Sequence, residues 1–186
     1  MRFATLVIDL QEDFFVHERL VRLRPALTRH VNDLVHTCRA HGVPVIWVKQ
    51  EFAPDLSDAM RDVRESGTRI VIAGTPGAAI LRELDCRASD HVVVKKRYSP
   101  FFGTTLDALL ASLQPEQLII AGINTHACVR MAVVDAYQRD YEIILARDCI
   151  DSYDVAHHEM TWQYMEGRLG RGMGNDAIQS LMASPA

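Results

Sequence analysis

A cysteine follows one of the most apolar segments of the chain, across a short polar turn. Residues 118–122 form a Leu-Ile-Ile-Ala-Gly run, and Cys128 stands at the start of the amphipathic pattern that comes next. A thiol at a helix N-terminus is a candidate nucleophile, because the helix dipole and the unpaired backbone N–H groups favour the thiolate. Free cysteines are also common in protein cores, so a structural role for Cys128 is an equal alternative.

Two other reactive side chains stand at the ends of apolar runs. Asp9 closes the first run of the chain, and Lys95 closes the run at residues 91–95. Each has a simpler explanation, since Asp9 could cap the next segment and Lys95 could lie on a solvated edge with the two cations after it. In a parallel sheet, however, strand ends share one crevice. The meeting there of an acid, an amine and a thiol favours a catalytic site.

Apolar runs and helical patterns alternate along the chain. Buried strands are predicted at residues 3–9, 43–50, 91–95, 118–122 and 142–147, with a short sixth strand near 169–173. Helices are predicted at residues 25–41, 104–113, 127–139, 154–166 and 175–182, the first beginning at Pro25. Residues 52–67 are polar and acidic and indicate a surface excursion. The alternation predicts an α/β fold, a doubly wound, mainly parallel six-stranded sheet with helices on both faces.

Composition narrows the possible partners. The chain has 186 residues, 48% of them apolar and 24% charged, and a net charge of −4, which predicts a single domain over residues 1–186. Nucleic acid and anionic membranes are not expected partners, because no basic patch is present and no apolar stretch approaches the roughly 20 residues of a bilayer span. The four cysteines are widely spaced and the N-terminus lacks a signal-peptide pattern, so we expect a cytoplasmic protein.

The segments around the three reactive residues resemble the isochorismatase-like cysteine hydrolases, the superfamily that includes N-carbamoylsarcosine amidohydrolase and nicotinamidase. The matching segments follow the family's order and are residues 9–14 (Asp-Leu-Gln-Glu-Asp-Phe), 74–77 (Gly-Thr-Pro-Gly), 95–101 (Lys-Lys-Arg-Tyr-Ser-Pro-Phe) and 122–129 (Gly-Ile-Asn-Thr-His-Ala-Cys-Val). The resemblance implies a Rossmann-like fold and a catalytic triad of Asp9, Lys95 and Cys128. The family's Lys-x-x-Tyr-Ser-x-Phe spacing selects Lys95 rather than Lys96.

The resemblance also implies how an oxyanion would be bound. It places a cis peptide bond between Ile123 and Asn124, which would aim the backbone N–H groups of Asn124 and Cys128 at one point. Further residues flank the reactive strand ends, where pocket walls are built. The candidates for contact with substrate are Gln11, Phe14, Phe15, Tyr98, Phe101, Phe102 and His126.

Metal binding is not expected. Metal-binding nicotinamidases of the superfamily carry an Asp-x-His cluster after the second strand, whereas residues 47–55 contain no histidine here. His157 and His158 are adjacent in a predicted helix and point about 100° apart, so they are expected to face solvent or an interface. We therefore expect neither a metal ion nor another cofactor.

Together these features predict a metal-independent cysteine amidohydrolase that cleaves a small amide, ureide or carbamoyl substrate through a thioester. One alternative is vinyl-ether hydrolysis of the isochorismatase type, although isochorismatases usually lack the nucleophilic cysteine. Another is a catalytically idle member that serves binding or assembly. The resemblance implies a homodimer or larger homo-oligomer. Trp162 and Met165 could present one helix face to a second subunit or pack on the chain's own sheet.

Overall fold

The computed structural model describes residues 2–183, and a six-stranded sheet forms its centre. The strands lie in the order β3-β2-β1-β4-β5-β6, and each adjacent pair is parallel. This arrangement confirms the α/β class predicted from the alternating pattern. The strands are β1 (Phe3–Ile8), β2 (Val45–Gln50), β3 (His91–Lys95), β4 (Gln117–Gly122), β5 (Glu142–Ile150) and β6 (Arg171–Met173).

Helices cover both faces of the sheet. They are α1 (Glu18–Ala40), α2 (Arg61–Ser66), α3 (Leu106–Leu113), α4 (Arg130–Tyr137), α5 (Val155–Met165) and α6 (Asn175–Ala183). Helices α1 and α6 share one core cluster with the sheet, and α3, α4 and α5 share a second cluster on the opposite face. All six residues of β4 are buried because both of its faces are covered. Within residues 2–183, none of the helices combines the length and apolarity of a membrane span.

The strand order reverses direction between β1 and β4. From β1 the chain first builds outward to β2 and β3, and it then returns to place β4 on the other side of β1. In doubly wound sheets, loops on either side of such a point diverge and leave a crevice at the carboxyl ends of the strands. Asp9 directly follows β1, and the turn that carries Cys128 directly follows β4, so both lie at this crevice.

Gly122 permits the closest approach between these two strands. It pairs with Ile8 and has φ of +119°, and a Cβ atom there would lie 2.1 Å from the carbonyl oxygen of Ile8. Any side chain at this position would push β4 away from β1. The glycine therefore fixes the distance between the strand ends that carry the reactive groups.

Two elements extend beyond their predicted limits. Helix α1 begins at Glu18, capped by the His17 side chain, and it contains Pro25 in its interior. The prediction that this helix starts at Pro25 was wrong. Leu20 already belongs to the buried face of α1, and its burial outweighs the loss of the one backbone hydrogen bond that proline removes. Strand β5 continues past Arg147, since Cys149 and Ile150 return to the core after two exposed residues.

The segment after β2 is more than a surface excursion. It contains α2 and folds back to form a third apolar cluster with residues of the following loop. Phe52 and Val71 lie at the centre of this cluster and are almost fully buried. The apolar residues are spread among acidic and basic ones, which hid this small core in the sequence pattern.

The apolar residues of α5 divide between two directions. Met165 is completely buried and Trp162 packs beside it on the chain's own sheet. For Trp162 and Met165, the structure therefore shows packing on the chain's own sheet, which was one of the two interpretations, and not a face presented to a second subunit. Met160 and Tyr164 remain exposed.

We expect Gly122→Ala to destabilise the fold by about 3 kcal/mol or more, because the new methyl group overlaps the Ile8 backbone. Gly167→Ala is the matched control, since Gly167 also has positive φ but has open space around its Cα. That control should cost only about 1 kcal/mol. Urea unfolding of both variants measures the difference, and equal losses would contradict the close-approach argument.

Candidate active site

Asp9 lies at the bottom of the crevice in a left-handed backbone conformation. Its φ is +56°, a region that aspartate tolerates better than most residues, and its N–H donates to the Val48 carbonyl at 2.9 Å. The side chain is only 2% exposed. Within residues 2–183, no backbone N–H or hydroxyl group donates a hydrogen bond to its carboxylate. The lone pairs of Asp9 therefore remain available to a proton from a neighbouring group.

Cys128 is delivered by a single wide helical turn. Residues Thr125–Val129 form a π-helical turn before α4, in which the Val129 N–H donates to the Asn124 carbonyl at 3.3 Å. The sequence pattern predicted a regular helix from residue 127, and the structure inserts this wider turn at its start. The peptide bond between Ile123 and Asn124 is cis, as the family resemblance implies.

The loop after β5 and helix α5 support the cysteine turn. The Thr125 N–H donates to the Asp151 carbonyl at 3.1 Å, and the Thr125 hydroxyl lies 2.7 Å from Nδ1 of His158. The side-chain oxygen of Asn124 accepts a hydrogen bond from the Tyr153 N–H at 3.2 Å. These contacts fix the turn from outside the sheet.

Lys95 joins the other two reactive groups. Its Nζ lies 2.9 Å from Oδ2 of Asp9 and donates to Sγ of Cys128 at 3.3 Å. It also donates to Oε1 of Gln50 at 3.0 Å and to the Arg97 carbonyl at 3.2 Å. The ammonium group is fully buried, so all of its protons are directed to protein acceptors. The structure thus brings together the three residues that the sequence placed at separate strand ends.

Burial and mutual charge set the protonation of this cluster. Burial raises the pKa of Asp9 above its usual value of 3.8, although Lys95 opposes the shift. Burial would lower the pKa of Lys95, but Asp9 and Cys128 more than compensate and raise it. Burial raises the pKa of the Cys128 thiol, and the negative charge of Asp9 raises it further. Lys95 lowers this pKa, but by less than the other two effects together raise it.

The raised pKa of Cys128 favours a protonated thiol at rest, beside the ammonium of Lys95. This corrects the sequence-based expectation that the helix N-terminus would favour the thiolate. That expectation omitted the cost of burying a negatively charged sulfur beside a second negative charge. A reaction that used this sulfur as a nucleophile would remove the thiol proton, and the Asp9 carboxyl group is adjacent to receive it.

A cavity of about 440 Å³ opens above the three groups. Asp9 and Cys128 form part of its floor, together with Gln50 and Asn124. Cavities of this size accommodate small organic molecules. The arrangement can present the sulfur and a proton acceptor to one bound carbonyl compound.

Comparison with known proteins identifies the family. The model described as "Isochorismatase domain" matches residues 3–176. The chain belongs to the isochorismatase family. The match covers almost the whole described chain and confirms the resemblance inferred from the four short segments.

Individual relatives of this isochorismatase-family chain differ in their named activities. It is 34% identical to a probable inactive nicotinamidase of Arabidopsis thaliana, over 74% of each chain. It is 30% identical to the ureidoacrylate amidohydrolase RutB of Methylorubrum extorquens, over 67% of this chain and 56% of the relative. The crystal structure of an isochorismatase family protein from Desulfovibrio vulgaris superposes with a TM-score of 0.87, at 27% identity and 98% coverage of both chains. The chain is therefore an isochorismatase-family hydrolase, with amidases among its relatives.

Three of the seven candidate substrate contacts line the cavity, namely Phe14, Tyr98 and His126. The other four lie elsewhere, which differs from the sequence-based expectation. Gln11 is buried and ties β1 to β2, since its amide donates to the Gln50 carbonyl and its oxygen accepts from the Gln50 N–H. Phe15 and Phe101 pack in the two cores, and Phe102 is 66% exposed on the surface. A position after a strand does not determine the direction of a side chain.

Several lining residues were not identified from the sequence. Gln50 is the last residue of β2, and its position at a strand end beside β1 was a usable signal. The segment after β2 contributes a larger group, and no local pattern indicated that it returns to the crevice. The lining residues not identified from sequence are Gln50, Phe52, Met60, Asp62, Val63, Ile70, Ala127, Met131 and Tyr153.

The residues after β2 do not fit a metal site. Glu51 is the first carboxylate there, and it is paired with the Lys49 ammonium at 2.5 Å. No histidine follows in this segment, so the donor set that suits zinc or iron is missing. His157 and His158 have other partners, since Nδ1 of His157 lies 2.9 Å from Asp154 and His158 contacts Thr125.

Replacing Lys95 should change the reactivity of Cys128. Lys95→Met removes the charge that lowers the Cys128 pKa, so the pH profile of Cys128 alkylation by iodoacetamide should move to higher pH. Lys96→Met is the matched control, because Lys96 pairs with Asp58 at 2.8 Å and donates to the Glu51 carbonyl. Peptide mapping at a series of pH values measures both. A shift in the Lys96 variant alone would show that the spacing selected the wrong lysine.

Proposed function

We propose that this chain is a metal-independent cysteine amidohydrolase that hydrolyses a small amide, ureide or carbamoyl compound through a thioester. The observation that carries the proposal is the contact of one buried ammonium with both a carboxylate and a thiol. Nζ of Lys95 lies 2.9 Å from Asp9 and 3.3 Å from Cys128, and these two residues line the floor of a substrate-sized cavity. These groups supply a nucleophile, an adjacent proton acceptor and a cation that stabilises negative charge on either of them.

The first half of the reaction forms the thioester. Sγ of Cys128 attacks the amide carbonyl carbon while its proton passes to the Asp9 carboxylate. The carbonyl oxygen becomes an oxyanion, which accepts hydrogen bonds from the backbone N–H groups of Asn124 and Cys128. When the C–N bond breaks, Asp9 returns the proton to the departing nitrogen. Ammonia or an amine leaves, and Asp9 is again a carboxylate.

The second half releases the acid. Asp9 accepts a proton from a water molecule as its oxygen attacks the thioester carbonyl carbon. The second oxyanion occupies the same pair of N–H groups. When the C–S bond breaks, the sulfur takes the proton from Asp9, and the resting thiol and carboxylate are restored. Lys95 stays protonated throughout because its raised pKa keeps it charged.

Vinyl-ether hydrolysis of the isochorismatase type is the first alternative. That reaction needs a proton donor and no nucleophilic sulfur, so it would leave the contact between Lys95 and Cys128 without a role. An idle member of the family is the second alternative. The presence of all three reactive groups in mutual contact favours an active enzyme over this one.

Location and assembly are part of the same proposal. We propose a cytoplasmic enzyme, supported by four free cysteines that suit a reducing compartment. We also propose a homodimer or larger homo-oligomer, supported by exposed Met160 and Tyr164 on α5.

Asp9→Asn should separate thiol ionisation from catalysis. Loss of the carboxylate should move the alkylation profile of Cys128 to lower pH, because the charge of Asp9 no longer adds to burial in raising the thiol pKa. Turnover should nevertheless fall by about 10²–10⁴-fold, because both proton transfers are lost. The assay is an ammonia-release screen over small amides and ureides, with Cys128→Ala as the blank and Asp176→Asn on the exposed turn of α6 as control. Full turnover by Asp9→Asn would refute the role of Asp9 in the proton transfers.

In the unmodified enzyme, activity should decline as pH falls through the raised pKa of Asp9.

Hydrolysis should survive exhaustive treatment with EDTA. The segment after β2 lacks histidine, and its first carboxylate is held by Lys49, so no step of the proposed reaction depends on a metal ion. The amidase rate before and after chelation and gel filtration is the measurement. Loss of activity that Zn²⁺ or Fe²⁺ restores would overturn this part of the proposal.

A further inference from the structure

Among the residues that the structure describes, neither a lysine nor an arginine lines the wall of the cavity above Cys128, so no permanently cationic side chain there could pair with an anionic substrate group. Lys95 lies beneath the floor and is already paired with Asp9. A carboxylate on a substrate would therefore lose water and gain no opposite charge, which is unfavourable.

His126 does not supply the missing positive charge. Burial, followed by the neighbouring His157, lowers the pKa of His126 below its usual 6.5. The ring is therefore uncharged at neutral pH, and its Nδ1 lies 2.9 Å from the Ser152 hydroxyl. The histidine lines the cavity as a neutral polar group.

Asp62 is the remaining charged residue of the wall. It lies in α2, at the exposed mouth of the cavity, and within residues 2–183 it forms no ion pair or side-chain hydrogen bond. The nearby cations of the same helix are engaged elsewhere, since Arg61 pairs with Glu65 at 2.7 Å and Arg64 donates to the Ala59 carbonyl. The charge of Asp62 acts on the cavity, because it raises the pKa of the lining residue Tyr98. Only burial raises that pKa more strongly.

The wall between the floor and the mouth is mainly apolar. It is formed by Phe14, Phe52, Met60, Val63, Ile70 and Met131. Tyr98 and Tyr153 add aromatic faces, which attract cations. A bound molecule would place its amide at the floor, an apolar body along this wall and its far end near Asp62.

We propose that Asp62 determines substrate charge, so that the enzyme prefers amides with an apolar body and a positively charged far end and discriminates against those with a carboxylate there. This inference rests on the proposed amidohydrolase function and narrows its substrate class. Asp62 acts as a specificity-determining residue and takes no part in the proton transfers.

Three amides that share the benzamide body test the proposal. They are benzamide, 4-(aminomethyl)benzamide and 4-carbamoylbenzoate, which are neutral, cationic and anionic at pH 7. One pair of partly solvated charges changes binding by about three- to fivefold. Asp62 attracts the cation and repels the anion, so the two effects multiply. We therefore expect kcat/KM for the cation to exceed that for the anion by about tenfold or more. The ratio should shrink in about 1 M NaCl, where the Debye length is about 3 Å.

Asp62→Asn should bring the ratio of kcat/KM for the cation to kcat/KM for the anion close to one. Each value is expressed relative to that for benzamide. Glu65→Gln is the matched control, because it removes the same charge from the same short helix but outside the cavity wall. The control should keep the ratio of the unmodified enzyme. An anion preference, or an equal effect of the two substitutions, would overturn the assignment of Asp62.

Protection of Cys128 against iodoacetamide gives a readout that does not depend on turnover. The three amides should protect in the order cation, neutral, anion, and Asp62→Asn should abolish that order. If no amide is hydrolysed while the order of protection holds, the proposed hydrolysis fails and the charge selection stands. If amides are hydrolysed without a charge order, the charge selection fails alone. If none of the three amides protects Cys128, the proposed charge selection is also overturned.

Discussion

The buried ammonium of Lys95 is the constraint on which the rest of the site depends. A fully buried cation is stable only when acceptors surround it, and here a carboxylate, a thiol, an amide oxygen and a backbone carbonyl do so. Removing one charge from such a buried pair typically costs about 3–5 kcal/mol, because the partner is left without compensation. The same contact therefore ties β1, β2 and β3 together and holds the thiol of Cys128 in place. Stability and chemistry depend on one interaction.

The topology makes that contact possible. Reversal of the strand order between β1 and β4 places Asp9 beside the turn that carries Cys128, and Gly122 allows the two strands to approach. Burial has a second consequence, since it raises the pKa of the sulfur and favours the thiol over the thiolate at rest. A resting thiol is less exposed to oxidation and alkylation than a thiolate. In the proposed mechanism, Asp9 ionises the sulfur only as the new bond forms.

Recognition of substrate is physically separate from this machinery. The reactive groups lie on strand ends and on one helical turn, whereas much of the cavity wall comes from the segment after β2. That segment has its own small core around Phe52 and Val71, so its surface residues can vary without disturbing the sheet. A loop of this kind allows one family to serve several substrates. In this chain it adds the charge of Asp62 to an apolar wall.

Local pattern in the sequence determined the strands, most of the helices and the reactive residues. Buried parallel strands leave continuous runs of valine and isoleucine, and an acid, a lysine and a cysteine at the ends of such runs are visible without coordinates. The start of α1 was missed because Pro25 obscured a helix whose buried face begins at Leu20. The raised pKa of Cys128, the outward position of Phe102 and the return of Asp62 to the crevice were decided by tertiary structure. Each depends on which distant atoms surround a group, and a local pattern contains no information about those atoms.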